Sequence, residues 1–279
     1  MGNRQMKAGI WFYGVGTALT GILDIAWRAF DPSHQPIQSL GKVPDQNLLA
    51  CFAGVWLVAA GLAILWRRSA KIGAAACATA YVIFVAMYLL RGYVGTQAHG
   101  WRIGVLSIAF GLAQELMLIA PAAIVYLSIA SPDSPLQARM AIAARWMLGL
   151  PPILFGLFHF LGLHVFASIV PRWLGFGFFW AAITGVAFFL AGIAICSGIK
   201  DVLAARLLAL MLLLFEGLVE VPPIFSRLHN QATWGAATYN LAAIGACLIF
   251  AEFVVSRADR GRTPRAGNVA VSRPDAVVV

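Results

Sequence analysis

Arg145–Pro171, RWMLGLPPILFGLFHFLGLHVFASIVP, begins a second copy of a pattern the chain has already used once. Laid over it, IWFYGVGTALTGILDI from Ile10 matches Trp11 to Trp146, Gly14 to Gly149, Gly21 to Gly156 and, at the polar position, Asp24 to His159. The echo continues in the next apolar run, where GVWLVAAGLAI from Gly54 reads against GVAFFLAGIAI from Gly185 with its glycines at the same internal spacing. Trp101 and Trp234 then open the last helix of each half. Self-similarity on this scale marks a duplicated structural unit.

Of the 279 residues, 61% are hydrophobic and 11% charged, against about 25% charged in soluble proteins. A bilayer core of roughly 30 Å needs about 20 mostly apolar residues per helix. Eight runs qualify: Gly9 to Phe30, Leu48 to Trp66, Ile72 to Leu90, Ile103 to Ser128, Trp146 to Phe166, Leu174 to Cys196, Val202 to Phe225 and Ala236 to Val255. The fold class expected is an all-α polytopic membrane protein, eight transmembrane helices arranged as two parallel-related four-helix bundles. An even number of helices per unit makes the second unit enter the membrane in the same sense as the first, unlike the inverted repeats of many transporters.

The net charge of +9 follows membrane topology rather than nucleic-acid binding. With a cytoplasmic amino terminus, one side gathers Arg67, Arg68, Lys71, Arg139, Arg145, Lys200, Arg206 and the arginines of both termini, while the other keeps Arg28, Lys42, Arg91, Arg102, Arg172 and Arg227. By the positive-inside rule this asymmetry predicts that both termini are cytoplasmic; the membrane expected is the plasma (inner) membrane. The first apolar run is too long for a signal peptide and lacks a small-residue cleavage site. Cys51, Cys77, Cys196 and Cys247 are isolated, which argues against a thiol–disulfide exchange enzyme.

The domain reading is residues 1–130 as the first four-helix repeat, 131–145 as a cytoplasmic linker, 146–256 as the second repeat and 257–279 as a disordered basic cytoplasmic tail. The segment Asp31 to Asn47, with three prolines, reads as an ordered or semi-ordered loop placed to cap the outer end of the first bundle.

Ionisable side chains in hydrocarbon cost about 2.5–3.5 kcal/mol each, so Asp24, Glu115, His159, Glu216, Glu220 and Glu252 require an explanation. Glu216 and Glu220 lie one turn apart on one helix face, and helix five brings His159 to similar depth. These three, with Asp24, are the candidate ligand-binding or proton site; the competing reading is that they only fix helix register. Arg28, one turn beyond Asp24, is expected to pair with it. Glu252 is expected near the inner surface, in water. No H-x-x-x-H or similar spacing supports a metal site, and one intramembrane histidine cannot supply both axial ligands of a haem.

FGLFHF at Phe155 to Phe160, Pro171 before helix six, TGVAFFLAGIAI from Thr184, LLALMLLLF running into EVPPIF, and the Trp234 to Ala251 stretch with Gly245-Ala246 resemble the DoxX-like membrane proteins. The first half resembles the same family more faintly, with Asp24 in place of the helix-one histidine. The resemblance implies a tandem duplication of that four-helix unit. It also implies an accessory or small-molecule-binding subunit of a membrane redox system, with a quinone as candidate ligand and other membrane redox subunits as candidate partners beside the lipid bilayer. An ion-coupled or small-molecule transporter and a non-catalytic assembly partner remain open alternatives, as does the question of enzymatic activity.

Overall fold

The computed structural model describes residues 4–32, 35, 44–130 and 135–262. Among these the regular structure is helical: α1 (Arg4–Trp27), α2 (Gln46–Leu65), α3 (Ala70–His99), α4 (Trp101–Ala130), α5 (Pro135–Leu161), α6 (Leu163–Ile169), α7 (Gly177–Ser197), α8 (Asp201–Phe215), α9 (Val221–Ser226) and α10 (Gln231–Arg262). A single turn of 3₁₀ helix (Arg172–Leu174) precedes α7, and a π-helical turn (Glu216–Glu220) joins α8 to α9. Eight helical stretches are long and apolar enough to cross a bilayer. The protein is therefore an all-α membrane protein whose outer helix faces meet lipid.

Two boundaries differ from the sequence reading. Helix α5 begins at Pro135, so most of the expected linker is its first turns; proline suits the first helical position, and QARMAIAA after it favours helix. Helix α10 runs on to Arg262 into the expected tail, whose residues 263–279 lie outside the described residues. Most of the expected capping loop, 33–34 and 36–43, also lies outside them.

The helices form a closed ring in which each spanning helix packs on its neighbours in sequence, and α10 returns to α1. Helices α4 and α10 also meet each other at the centre. As a result α4 packs on the first helix of the second half, and α10 on the first helix of the first half. The buried run of α10, from Ala242 to Phe253, forms the middle of the core with Met117, Ile124 and Val125 of α4.

The repeated glycines set the spacing of two corresponding helix pairs. A Cβ at Gly61 would stand 2.5 Å from the Gly14 carbonyl oxygen, and one at Gly54 would stand 2.6 Å from that of Gly21. In the second half, a Cβ at Gly192 would be 2.6 Å from the Gly149 carbonyl oxygen, and one at Gly156 would be 2.6 Å from that of Gly185. Backbones this close are what small residues provide where packing must replace the hydrophobic drive. The same pairing sets the polar position, since Gly54 lies against the Cβ of Asp24 and Gly185 against that of His159.

Candidate functional site

The two halves treat that polar position differently. In the first, α1 packs on α10 through further small residues: a Cβ at Gly16 would meet the Ala242 nitrogen at 2.7 Å, and one at Gly245 the Gly9 carbonyl oxygen at 2.6 Å. In the second, the α4–α5 contact is built from large rings, with Phe110 packing edge-on against Phe155 and Phe158 at centroid distances of 5.7 and 5.2 Å. Bulk on the facing helices holds them apart. A cavity of about 600 Å³ opens beside them, enclosed by α4, α5, α7, α8, the π-turn and α10, within the range of small-molecule sites, roughly 300–1,000 Å³.

His159 lines the cavity and is buried. Its Nδ1 lies 2.7 Å from the Phe155 carbonyl oxygen. A carbonyl can only accept, so Nδ1 carries a proton and Nε2 is the ring nitrogen left for a guest. The imidazole is stacked on Phe166 of α6 at 3.9 Å with a 14° interplanar angle, and Phe188 leans on it at 5.3 Å. Helix α6 thus folds back over the end of α5 and covers the histidine with a ring.

Glu220 also lines the cavity, with Asn240 and Tyr239 of α10. Glu216 stands just behind: its Oε2 accepts a 2.8 Å hydrogen bond from Asn240 Nδ2, which also donates to the Leu212 carbonyl at 2.8 Å. Both acids sit in the π-turn, where the Val221 N–H reaches back to the Glu216 carbonyl. Pro222 and Pro223 follow at once. They remove two backbone donors, so an ordinary helix could not continue there with its ladder intact. Such π-turns occur often at functional sites.

The structure therefore brings His159 and Glu220 to one chamber, with Glu216 acting on it through Asn240, and leaves Asp24 elsewhere. Asp24 is fully buried in the first half, and its partner is Gln35, whose Nε2 donates to Asp24 Oδ2 at 2.8 Å. The same amide accepts the Asp31 N–H at 2.7 Å through Oε1. The expected pair with Arg28 is not made. Arg28 takes a left-handed backbone (φ 50°) at the end of α1 and its side chain is exposed, because α1 ends before another turn could hold it beside Asp24. Glu252 also departs from expectation: it is buried and bound to Arg206 at 2.9 Å.

Phe166, Asn240 and Gln114 were not singled out by sequence reasoning, though all three line the chamber. Asn240 had a readable signal, being a lone amide in an apolar run. Phe166 had none among so many phenylalanines. Among the described residues, no three His, Cys, Asp or Glu side chains converge to hold a metal. No family model, curated protein or solved structure matches the chain.

Proposed function

We propose that the second half binds a lipid-soluble small molecule with a polar, ring-shaped head, and that the chain serves as an accessory subunit of a membrane redox system with a quinone as its ligand. The carrying observation is the position of the cavity mouth. Ile183 of α7, together with Leu214 of α8 and Leu218 of the π-turn, lines the chamber, and all three are exposed on the outer, lipid-facing surface. A guest enters sideways from the hydrocarbon, without crossing water.

The lining suits such a guest. Phe110, Phe155, Phe166, Phe188, Phe215 and Trp180 supply ring surfaces, each stacked or edge-on contact being worth about 0.5–1.5 kcal/mol beyond burial. His159 Nε2, a lone-pair acceptor, can take the hydroxyl of the reduced, quinol form of such a head, and the Glu220 carboxyl in its protonated form can donate to a quinone oxygen. Assignment to the DoxX-like proteins is part of this proposal and rests on the motifs around His159 and the helix that holds Glu220.

The test is extraction of the protein with its surrounding lipid and analysis of the bound small molecules. Wild-type protein should carry quinone in a defined ratio. Leu214→Trp, which fills the mouth, and His159→Ala, which removes the polar partner, should each lower that ratio several-fold while leaving a folded, monodisperse protein. Quinone absent from the wild type, or retained equally by both variants, refutes the proposal.

A further inference from the structure

A second cavity, of about 310 Å³, lies beside the chamber, between Pro32, Tyr88 of α3, Ser107 of α4 and Phe158 of α5. The two cavities share two side chains, Phe110 and Gln114, which stand one turn apart on α4. Phe110 is wedged edge-on between Phe155, which lines the chamber, and Phe158, which lines the smaller cavity. Gln114 is the polar member of this partition.

Gln114 is 8% exposed, and its Oε1 is buried with no hydrogen-bond partner. Its contact with α10 is made by the main chain, whose carbonyl accepts a 3.4 Å hydrogen bond from the Tyr239 hydroxyl. The second amide in the chamber wall is occupied: Asn240 gives its Nδ2 to the Leu212 carbonyl and to the Glu216 carboxyl. Laying Trp234 of α10 over Trp101 of α4 sets Cys247, fully buried in the core, against Gln114. Where the equivalent helix position borders no cavity, a small thiol suffices.

Helix packing does not account for the amide. A buried oxygen without a partner has lost its hydration and gained nothing in exchange. With a cavity on both sides, no neighbouring side chain is placed to supply the missing bond. The partner it lacks is one that a guest would bring.

We propose that Gln114 is a specificity-determining residue of the chamber, whose amide hydrogen-bonds an oxygen on the head of the bound molecule. The inference rests on reading the chamber as a quinone site. A half-turn about the last side-chain bond exchanges the amide oxygen and nitrogen within nearly the same volume. The group therefore donates to the carbonyl of a quinone and accepts from the hydroxyl of a quinol. His159 cannot do both, because its Nδ1–H is committed to the Phe155 carbonyl and its Nε2 only accepts. Gln114 keeps hold of the head in either oxidation state without a change of charge.

The test is binding to the full chain in lipid nanodiscs, titrated anaerobically with a short-chain 1,4-benzoquinone and, separately, with its quinol. Gln114→Met, a close apolar match in shape, should weaken both forms about tenfold, the loss of one neutral hydrogen bond in a dry site. The empty variant should unfold at the temperature of wild type or above it, since the amide has no partner to lose. Gln114→Leu is the second variant and should behave alike. Unchanged affinity in both variants overturns the proposal and leaves quinone binding by the chamber intact. A loss confined to one oxidation state, or empty variants that both unfold well below wild type, as a bundle-holding amide would require, also overturns it. Wild-type protein that binds neither form removes the quinone reading of the chamber and this inference with it.

Discussion

Gln35 is the most informative single side chain to remove. Its amide bridges two buried groups, donating to Asp24 Oδ2 at 2.8 Å and accepting the Asp31 N–H at 2.7 Å, and it is itself 2% exposed. Gln35→Leu keeps the volume and deletes both bonds. Each orphaned buried group costs about 1–3 kcal/mol, so the two bonds bound the loss at roughly 2–6 kcal/mol. Water entering beside Pro32 brings the expected value toward the lower end. Reversible unfolding in mixed micelles measures this directly. A cycle with Asp24→Asn sharpens it: the coupling between the two sites should be about 0.5–3 kcal/mol, as for residues in direct contact. A Gln35→Leu protein within about 0.5 kcal/mol of wild type, the range of an ordinary surface substitution, would refute the reasoning, because Gln35 would then not be the partner of Asp24.

Arg206→Ala should destabilise by about 1–3 kcal/mol by removing the charged partner that buried Glu252 holds at 2.9 Å, less than a fully buried pair would lose because Arg206 is half exposed; adding Glu252→Gln should recover part of it in the same unfolding assay. Gly185→Ala puts a methyl 2.8 Å from His159 Cβ, which should cost about 1–3 kcal/mol through overpacking and displace the imidazole, read as lower quinone content; Gly175→Ala, where nothing lies within 4 Å, has no such clash to make, although its φ of 64° adds a local backbone cost. Reporter fusions before Met6 and after Arg262 should score on the same membrane face, since eight spans separate them; opposite faces would contradict the helix count.

The glycine contacts were readable because glycine spacing is a backbone property. Gly14, Gly21, Gly149 and Gly156 are where helices touch, and each pair could be aligned without knowing its partner. The alignment of Asp24 with His159 was equally accessible, and both side chains do lie against the corresponding glycine of the next helix. What covers those side chains could not be read, because it comes from connections whose path depends on the finished bundle. Gln35 reaches Asp24 from a proline-rich connection, and Phe166 reaches His159 from a short helix that periodicity merges with α5. Tyr13, Thr17, Thr20 and Asp24 of α1, all buried, stand on one side of that helix in the sequence, but hydroxyls in an apolar run usually bond to their own helix, as Thr79 and Thr184 do. Only the position of Tyr81, whose hydroxyl lies 3.0 Å from that of Thr17, shows that Thr17 faces inward to a partner.

The crossed packing, with α4 against α5 and α10 against α1, also bears on how such a molecule can specialise. A lone four-helix copy would offer the same surfaces and would have to complete itself by clasping a twin, each lending its final helix to the other. Twofold symmetry would then force both chambers to be alike. Joining the twins in one polypeptide lifts that constraint. A substitution made on one side is no longer copied to the other, so one compartment is free to collect aromatic rings while its sibling collects hydroxyls and acids.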